Sequence, residues 1–250
     1  MSHHAQQTIK KQVRTYYGQS IRASAAGGCC TPSYGCGSPF DVADLKTGEV
    51  VLDLGSGAGL DAILAARQVG AGGQVFGLDM TDEMIEIARR NADIAGMRNI
   101  LFLKGDIESI PLPTSTVDAI ISNCVVNLTP DKQAAYIDAY RVLKPGGRLA
   151  VSDIVIDGEL TGLSVDESQI REGLSWVACL AGAPTMTEVR TMLATAGFVD
   201  VTIAVVRRYS SEQLTRKRSI YSATLSDDVL RELEGRFTSS TISAVKPGLL

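Results

Sequence analysis

Histidine is almost missing from this chain. There are two in 250 residues, His3 and His4, side by side near the start. A mechanism that needs a core histidine as base or metal ligand is therefore excluded, which removes Ser-His-Asp hydrolases and most zinc enzymes. A dominant charge sign is also missing. Lys and Arg number 24 against 28 Asp and Glu, a net charge of −4. No broad basic field favours nucleic acid or a membrane surface, so neither partner is expected. No apolar run reaches the ~18 residues of a membrane span. The sequence is polar through Gln7, which predicts no secretory leader. Cysteines are few and odd in number, five in all. That argues against a disulfide scaffold and for reduced thiols in a soluble, cytoplasmic protein.

The chain is organised around Val50 to Gly59. Val50 to Leu54 is apolar apart from Asp53, as in a buried strand. Gly55, Gly57 and Gly59 follow, and then a helical apolar pattern at Leu60, Ile63, Leu64 and Val69. Glycines let a ligand approach the backbone, and the first helical N–H groups point over the turn. The spacing is G-x-G-x-G rather than the G-x-G-x-x-G of a dinucleotide turn, which disfavours a dehydrogenase. After a second apolar strand, Gln74 to Leu78, comes Asp79. A carboxylate there is placed to accept both hydroxyls of a ribose. Strand, turn, helix, strand and acid in this order predict an adenosine ligand.

This pattern resembles the S-adenosylmethionine site of class I methyltransferases: apolar-Asp-Leu-Gly-x-Gly-x-Gly, an acid after strand two, then Gly105-Asp106-Ile107 after strand three. The resemblance runs from about Gly48 to Ser222. It implies an α/β fold with a doubly wound, mostly parallel seven-stranded sheet and S-adenosylmethionine as cofactor.

Along the chain, residues 1 to about 19 read as a helix, either a plain surface helix or a lid over the ligand site. Residues 23–39 read as a mobile loop carrying Cys29, Cys30 and Cys36. Strands are expected at 50–54, 74–78, 100–103, 117–121 and 148–154, with helices at 58–69, 82–95 and 131–143. Thr81 is the expected N-cap of the second of these helices. Lys144-Pro-Gly-Gly147 stops the third. Strands spaced by helices imply a parallel sheet with ligands at the carboxyl ends of its strands. Residues 155–186 interrupt the rhythm with a loop and a helix over 168–181, an insertion above the strand ends. A helix over 188–196, strands over 198–205 and 220–225, a helix over 227–236 and a frayed tail complete the reading. Three regions follow: 1–46, helix and Cys-bearing loop; 47–225, the methyltransferase domain; 226–250, a short C-terminal helix and tail.

The cysteines carry the substrate argument. Cys124 lies just past strand four, Cys179 on the covering insertion and Cys36 on the loop before strand one. Each alone reads as a small core residue. Three thiols in eight residues, Cys29 to Cys36, leave a structural zinc, inert thiols or substrate-binding thiols open, the last favoured. A joint cluster of thiols beside a methyl donor, without histidine, suits a soft electrophilic centre such as trivalent arsenic. Its lone pair can attack a sulfonium methyl carbon while thiolates orient it.

The sequence resembles the arsenite methyltransferases. The matching pieces are Tyr16-Tyr17-Gly18, Cys29-Cys30, Tyr34 to Pro39, Asp79-Met80-Thr81, Ser122-Asn-Cys-Val-Val-Asn127, Ser152-Asp-Ile-Val155 and Cys179-Leu-Ala-Gly-Ala183. The resemblance implies that Cys124 and Cys179 hold arsenic, with Cys36 and the Cys29-Cys30 region assisting. It also implies that Gly55, Ser56, Gly57, Asp79, Met80, Asp106, Ile107 and Asn123 surround the cofactor. Arsenite and methylated arsenicals would be the substrates, and a cellular thiol such as thioredoxin or glutathione the reductant. Compared with the family, the segment between Cys30 and Tyr34 and the region after Leu225 are short. Two other readings compete. One is a class I methyltransferase acting on a carbon or oxygen of a small apolar molecule. The other is a metalloid-binding module without turnover.

Overall fold

The computed structural model describes residues 3–25, 37–217 and 225–248. The elements in chain order are α1 (His3–Ala25), α2 (Phe40–Ala43), β1 (Val50–Leu54), α3 (Leu60–Val69), β2 (Gln74–Asp79), α4 (Asp82–Ile94), β3 (Ile100–Lys104), β4 (Val117–Asn123), α5 (Lys132–Val142), β5 (Leu143–Ile156), α6 (Glu167–Gly173), α7 (Met186–Ala196), β6 (Val199–Arg208), α8 (Ser211–Thr215), α9 (Asp227–Glu232) and β7 (Phe237–Val245). A short 3₁₀ turn, Val126–Leu128, follows β4. The strands form one sheet in the order β3-β2-β1-β4-β5-β7-β6. β1 to β5 run parallel, and β7 runs antiparallel to both β5 and β6.

Alternation along the strands divides the core in two, because successive side chains leave opposite faces. Val51, Ala119, Ile121 and Ala150 pack with Ala62 and Ala66 of α3 and Ala88 of α4. Leu52, Ile120 and Leu149 face the other way, towards Tyr136 and Val142 of α5 and Leu193 of α7. The parallel strands therefore read as continuous apolar runs, buried on both faces. The order reverses between β1 and β4, and the crevice at that switch point is where such sheets bind ligands. Among the described residues, no helix is long and apolar enough to cross a membrane.

Several expectations are corrected. The expected strand over 220–225 falls mostly outside the described residues, and Leu225 is not in a strand. The partner of β6 is instead β7, drawn from the expected tail. Its Thr238, Ser239 and Ser240 are fully buried. Thr238 Oγ1 spends its proton on the Val155 carbonyl at 2.9 Å or on Ser240, so the polar run satisfies itself inside the sheet. The expected helix over 168–181 ends at Gly173. Arg171 Nη1 reaches forward to the carbonyls of Ala181 and Ala183, both at 2.9 Å, which requires the chain to fold back. Cys179 thus sits in a turn. Thr81 occupies the N-cap position of α4, yet its side chain does not cap the helix. Its hydroxyl goes to Asp79.

Candidate functional site

One cavity of about 490 Å³ opens at the carboxyl ends of the central strands. It gathers all eight residues expected around the cofactor: Gly55, Ser56, Gly57, Asp79, Met80, Asp106, Ile107 and Asn123. Cys124 lines the same cavity. Cys29, Cys30 and Cys36 lie outside the described residues.

The glycine turn is built for close approach. Gly55, Gly57 and Gly59 all have positive φ, at +68°, +50° and +85°, where a side chain is strained. A Cβ on Gly55 would lie 2.3 Å from Val125, so the turn also seats the loop after β4. Asp79 is nearly buried and anchors the turn. Its Oδ2 accepts the Gly57 N–H at 3.0 Å, and its Oδ1 accepts the Thr81 N–H at 2.9 Å and the Thr81 hydroxyl at 2.8 Å. Burial pushes its carboxyl above the usual range, against those donors.

Two further acids at the cavity were not singled out from the sequence as site residues. Asp53 is 2% exposed, and its Oδ2 is buried with no hydrogen-bond partner. Burial first, then the Asp61 and Asp79 charges, raise its pKa well above normal. Asp61 is also raised by burial, although Asn123 Nδ2 donates to its Oδ2 at 3.1 Å. Burial holds all three carboxyls toward their neutral form, and a cation placed among them would favour the charged form instead.

Helix α1 closes one side through Lys10, Val13 and Tyr17. Lys10 Nζ pairs with Glu108, whose other carboxylate oxygen accepts the Thr129 hydroxyl. Tyr17 donates its hydroxyl proton to the Val177 carbonyl at 3.1 Å. The helix therefore touches both the cavity floor and the loop that carries Cys179. The sequence pattern predicts the helix but not these partners, because nothing in a polar helix names what it packs on.

Cys124 and Cys179 meet although 55 positions separate them. The Cys179 thiol donates to the Cys124 carbonyl at 3.3 Å. Both residues are buried, and both adopt left-handed backbone, φ +55° and +64°. Left-handed non-glycine residues cost on the order of 1–3 kcal/mol each and cluster at functional sites. Asn127 holds the pair together. Its Nδ2 donates to the Ile154 carbonyl at 2.7 Å and the Cys179 carbonyl at 3.2 Å. The Trp176 indole N–H donates to the Leu128 carbonyl at 3.2 Å and fixes the other end of the loop. Asp153 completes the cluster: its carboxylate and the two sulfurs lie within 4.8 Å of one another. Burial raises the Cys179 thiol pKa well above normal, and the Asp153 charge adds to this. Cys179 is a free thiol, whereas Cys124 is disulfide-bonded. The expectation that every thiol is reduced is corrected at that position. One such bond still makes no scaffold.

A methyltransferase-domain family model matches residues 45–197. The arsenite methyltransferase of Halobacterium salinarum is 43% identical over 213 residues, 85% of this chain and 50% of that protein. The human arsenite methyltransferase is 33% identical over 76% of this chain and 58% of its own length. The crystal structure of an arsenic(III) S-adenosylmethionine methyltransferase from Chlamydomonas reinhardtii superposes with a TM-score of 0.65 at 32% identity, covering 92% of this chain and 74% of that one. The chain spans about half to six-tenths of the length of the curated relatives.

Proposed function

Because this chain belongs to the arsenite methyltransferases, within the S-adenosylmethionine-dependent methyltransferases, we propose that it transfers the methyl group of S-adenosylmethionine to trivalent arsenic. The observation that carries this reading is that Cys124, which lines the cavity, is met from behind by the buried Cys179, both on left-handed backbone.

The residues present fit the cofactor. Gly55 and Gly57 line the cavity without side chains, and Asp53, with its unpartnered Oδ2, lines it beside Asp61 and Asp79, which favours a ligand that brings a donor or positive charge. S-adenosylmethionine, when bound, supplies a methyl group on a cationic sulfur. Asp79 holds the ribose, presented by the Gly57 and Thr81 donors behind it. Gly55, Ser56, Gly57, Met80, Asp106, Ile107 and Asn123 line the remainder of its site. Helix α1 covers the site as a lid, latched by Lys10 on Glu108 and by Tyr17 on the Val177 carbonyl, and excludes water.

Cys124 and Cys179 hold arsenic as thiolates, and Cys36 supplies the third. The thiolates present the arsenic lone pair to the cavity and make the encounter effectively unimolecular. Cys124 is disulfide-bonded, so a cellular thiol, thioredoxin or glutathione, opens that bond before arsenic is taken up. This chemistry belongs in the cytoplasm, where thiol pools are reducing. A carbon- or oxygen-methylating reading leaves the meeting of Cys124 and Cys179 unused. The test is arsenic speciation after the reduced protein is incubated with arsenite, thiol and S-adenosylmethionine. Methylated arsenic is the expected product, and its absence while cofactor still binds overturns the reading.

A further inference from the structure

Asp153 has no part in the thiolate chemistry above, yet its carboxylate sits with the two sulfurs. The three ligand atoms lie within 4.8 Å of one another, and all three residues are buried. We propose that Cys124, Cys179 and Asp153 form a binding site for a thiophilic divalent cation of the zinc–cadmium class, which competes with arsenic for the two thiolates. The proposal shares with the function above only the premise that both thiols can be brought to one atom.

The geometry favours it. Metal–sulfur bonds near 2.3 Å and metal–oxygen bonds of 2.0–2.2 Å at tetrahedral angles put ligand atoms roughly 3.5–3.8 Å apart. Closing from at most 4.8 Å asks for a movement of about 1 Å or less at side-chain tips. The carboxylate is already oriented from behind. Its Oδ1 accepts the Ile154 N–H at 2.8 Å and its Oδ2 the Asn127 N–H at 3.1 Å. Backing of this kind steers a carboxylate onto a metal. Two thiolates and a carboxylate carry three negative charges against a dication. Lys132 and Lys217 lie close enough to act electrostatically on Cys179, and Lys132 acts on Asp153 as well. Both cysteines have left-handed backbone, and their sulfurs already lie within 4.8 Å of each other and of the carboxylate.

Asp153 is what separates the two ligands. A carboxylate oxygen is a usual partner for zinc, but a poor one for a soft trivalent centre that prefers sulfur. Losing Asp153 should therefore weaken the cation and spare arsenic.

The experiment uses the full chain reduced with a phosphine, which opens the Cys124 disulfide, and titrated with cadmium. The expected result is one thiolate-to-cadmium charge-transfer signal per chain. Asp153→Asn should weaken cadmium at least about tenfold, since losing a direct ligand costs no less than losing a group that only orients one. Arsenite affinity should change less than about twofold. A measurement on the parent alone avoids any folding defect: cadmium should inhibit arsenite methylation competitively with arsenite and not with S-adenosylmethionine. No stoichiometric signal in the reduced parent overturns the proposal. So does a signal that survives Cys124→Ser with Cys179→Ser, or one unchanged in a folded Asp153→Asn. Inhibition that follows S-adenosylmethionine also overturns it. A chain that methylates arsenite but ignores cadmium removes this site only. One that binds cadmium through the three residues but makes no methylated arsenic removes the arsenic reading and leaves the site.

Discussion

Gly182→Ala tests the way the two cysteines are brought together without touching either of them. A Cβ at Gly182 would stand 2.2 Å from the Asn127 carbonyl oxygen and 3.3 Å from the Trp176 ring. Close carbon–oxygen contacts run near 3.3–3.6 Å, so one backbone must retreat by about 1 Å. The oxygen belongs to main chain that Asn127 itself locks to Ile154 and Cys179, so no flexible side chain can absorb the shift. Overpacking of this kind costs about 1–3 kcal/mol. In a chain of this size that lowers Tm by roughly 2–12 °C. The effect on the site should be larger, because a 1 Å misplacement of a positioned group can cost ~100-fold. Trp176, the only tryptophan in the chain, sits on the same loop, and its fluorescence should report arsenite binding. Calorimetry with S-adenosylmethionine serves as control, since the glycine turn lies on other elements. Arsenite affinity like that of the parent, in a folded variant, would refute the claim that the Asn127 clamp sets the cysteine spacing.

Other outcomes follow from the same geometry. Cys124→Ser and Cys179→Ser should each abolish arsenite methylation and leave S-adenosylmethionine binding nearly intact, read by product analysis beside calorimetry; methylation at the parent rate would point to another substrate. Cys36→Ser should slow arsenite more than monomethylarsonous acid, because a methylated arsenic has fewer bonds left for thiols; equal slowing would remove Cys36 as third thiolate. Asp79→Ala should weaken the cofactor about ten- to hundredfold, the value of a charge-assisted hydrogen bond of roughly 1.5–3 kcal/mol; unchanged affinity in calorimetry would exclude the ribose contact. Burial raises the Asp153 carboxyl from near 4 to about 7. Between those values the folded chain holds a proton that the unfolded chain lacks, so stability should fall as pH rises through this window, by at most about 1.4 kcal/mol per unit. Urea midpoints across pH 4.5–8 measure the slope, and a slope that persists in Asp153→Asn would place its origin elsewhere.

The half of the chain around the glycine turn was legible because its signals are local. Gly55, Gly57 and Asp79 announce a ligand turn by spacing alone, and the cavity collects them with Asp106 and Asn123. Cys124 and Cys179 could be placed near each other because one follows a strand end and the other lies on the insertion above it. Asp53 was noticed only as the polar break in an apolar strand; its orphaned oxygen depends on tertiary burial. Lys10 and Glu108 look like ordinary surface charges until α1 lands on the cavity. The turn at Cys179 was hidden because its cause, Arg171 reaching the carbonyls of Ala181 and Ala183, is a contact rather than a pattern. β7 was missed for a similar reason: Thr238-Ser-Ser-Thr241 has the composition of a loop, and only its place between two strands satisfies its hydroxyls.

That place has a consequence for how the molecule is made. β7 leaves the ribosome after β5 and β6, yet it lies between them and is hydrogen-bonded to both. Until residue 237 and those after it emerge, β5 presents an unpaired edge rich in Val, Ile and Leu, and β6 has no neighbour at all. Exposed edges of this kind recruit other chains. Nascent protein is thus most prone to aggregation just before synthesis reaches β7, when the cofactor crevice between β1 and β4 can already exist. Binding of the small molecule at that crevice would steady the first five strands while the sheet waits for its sixth and seventh.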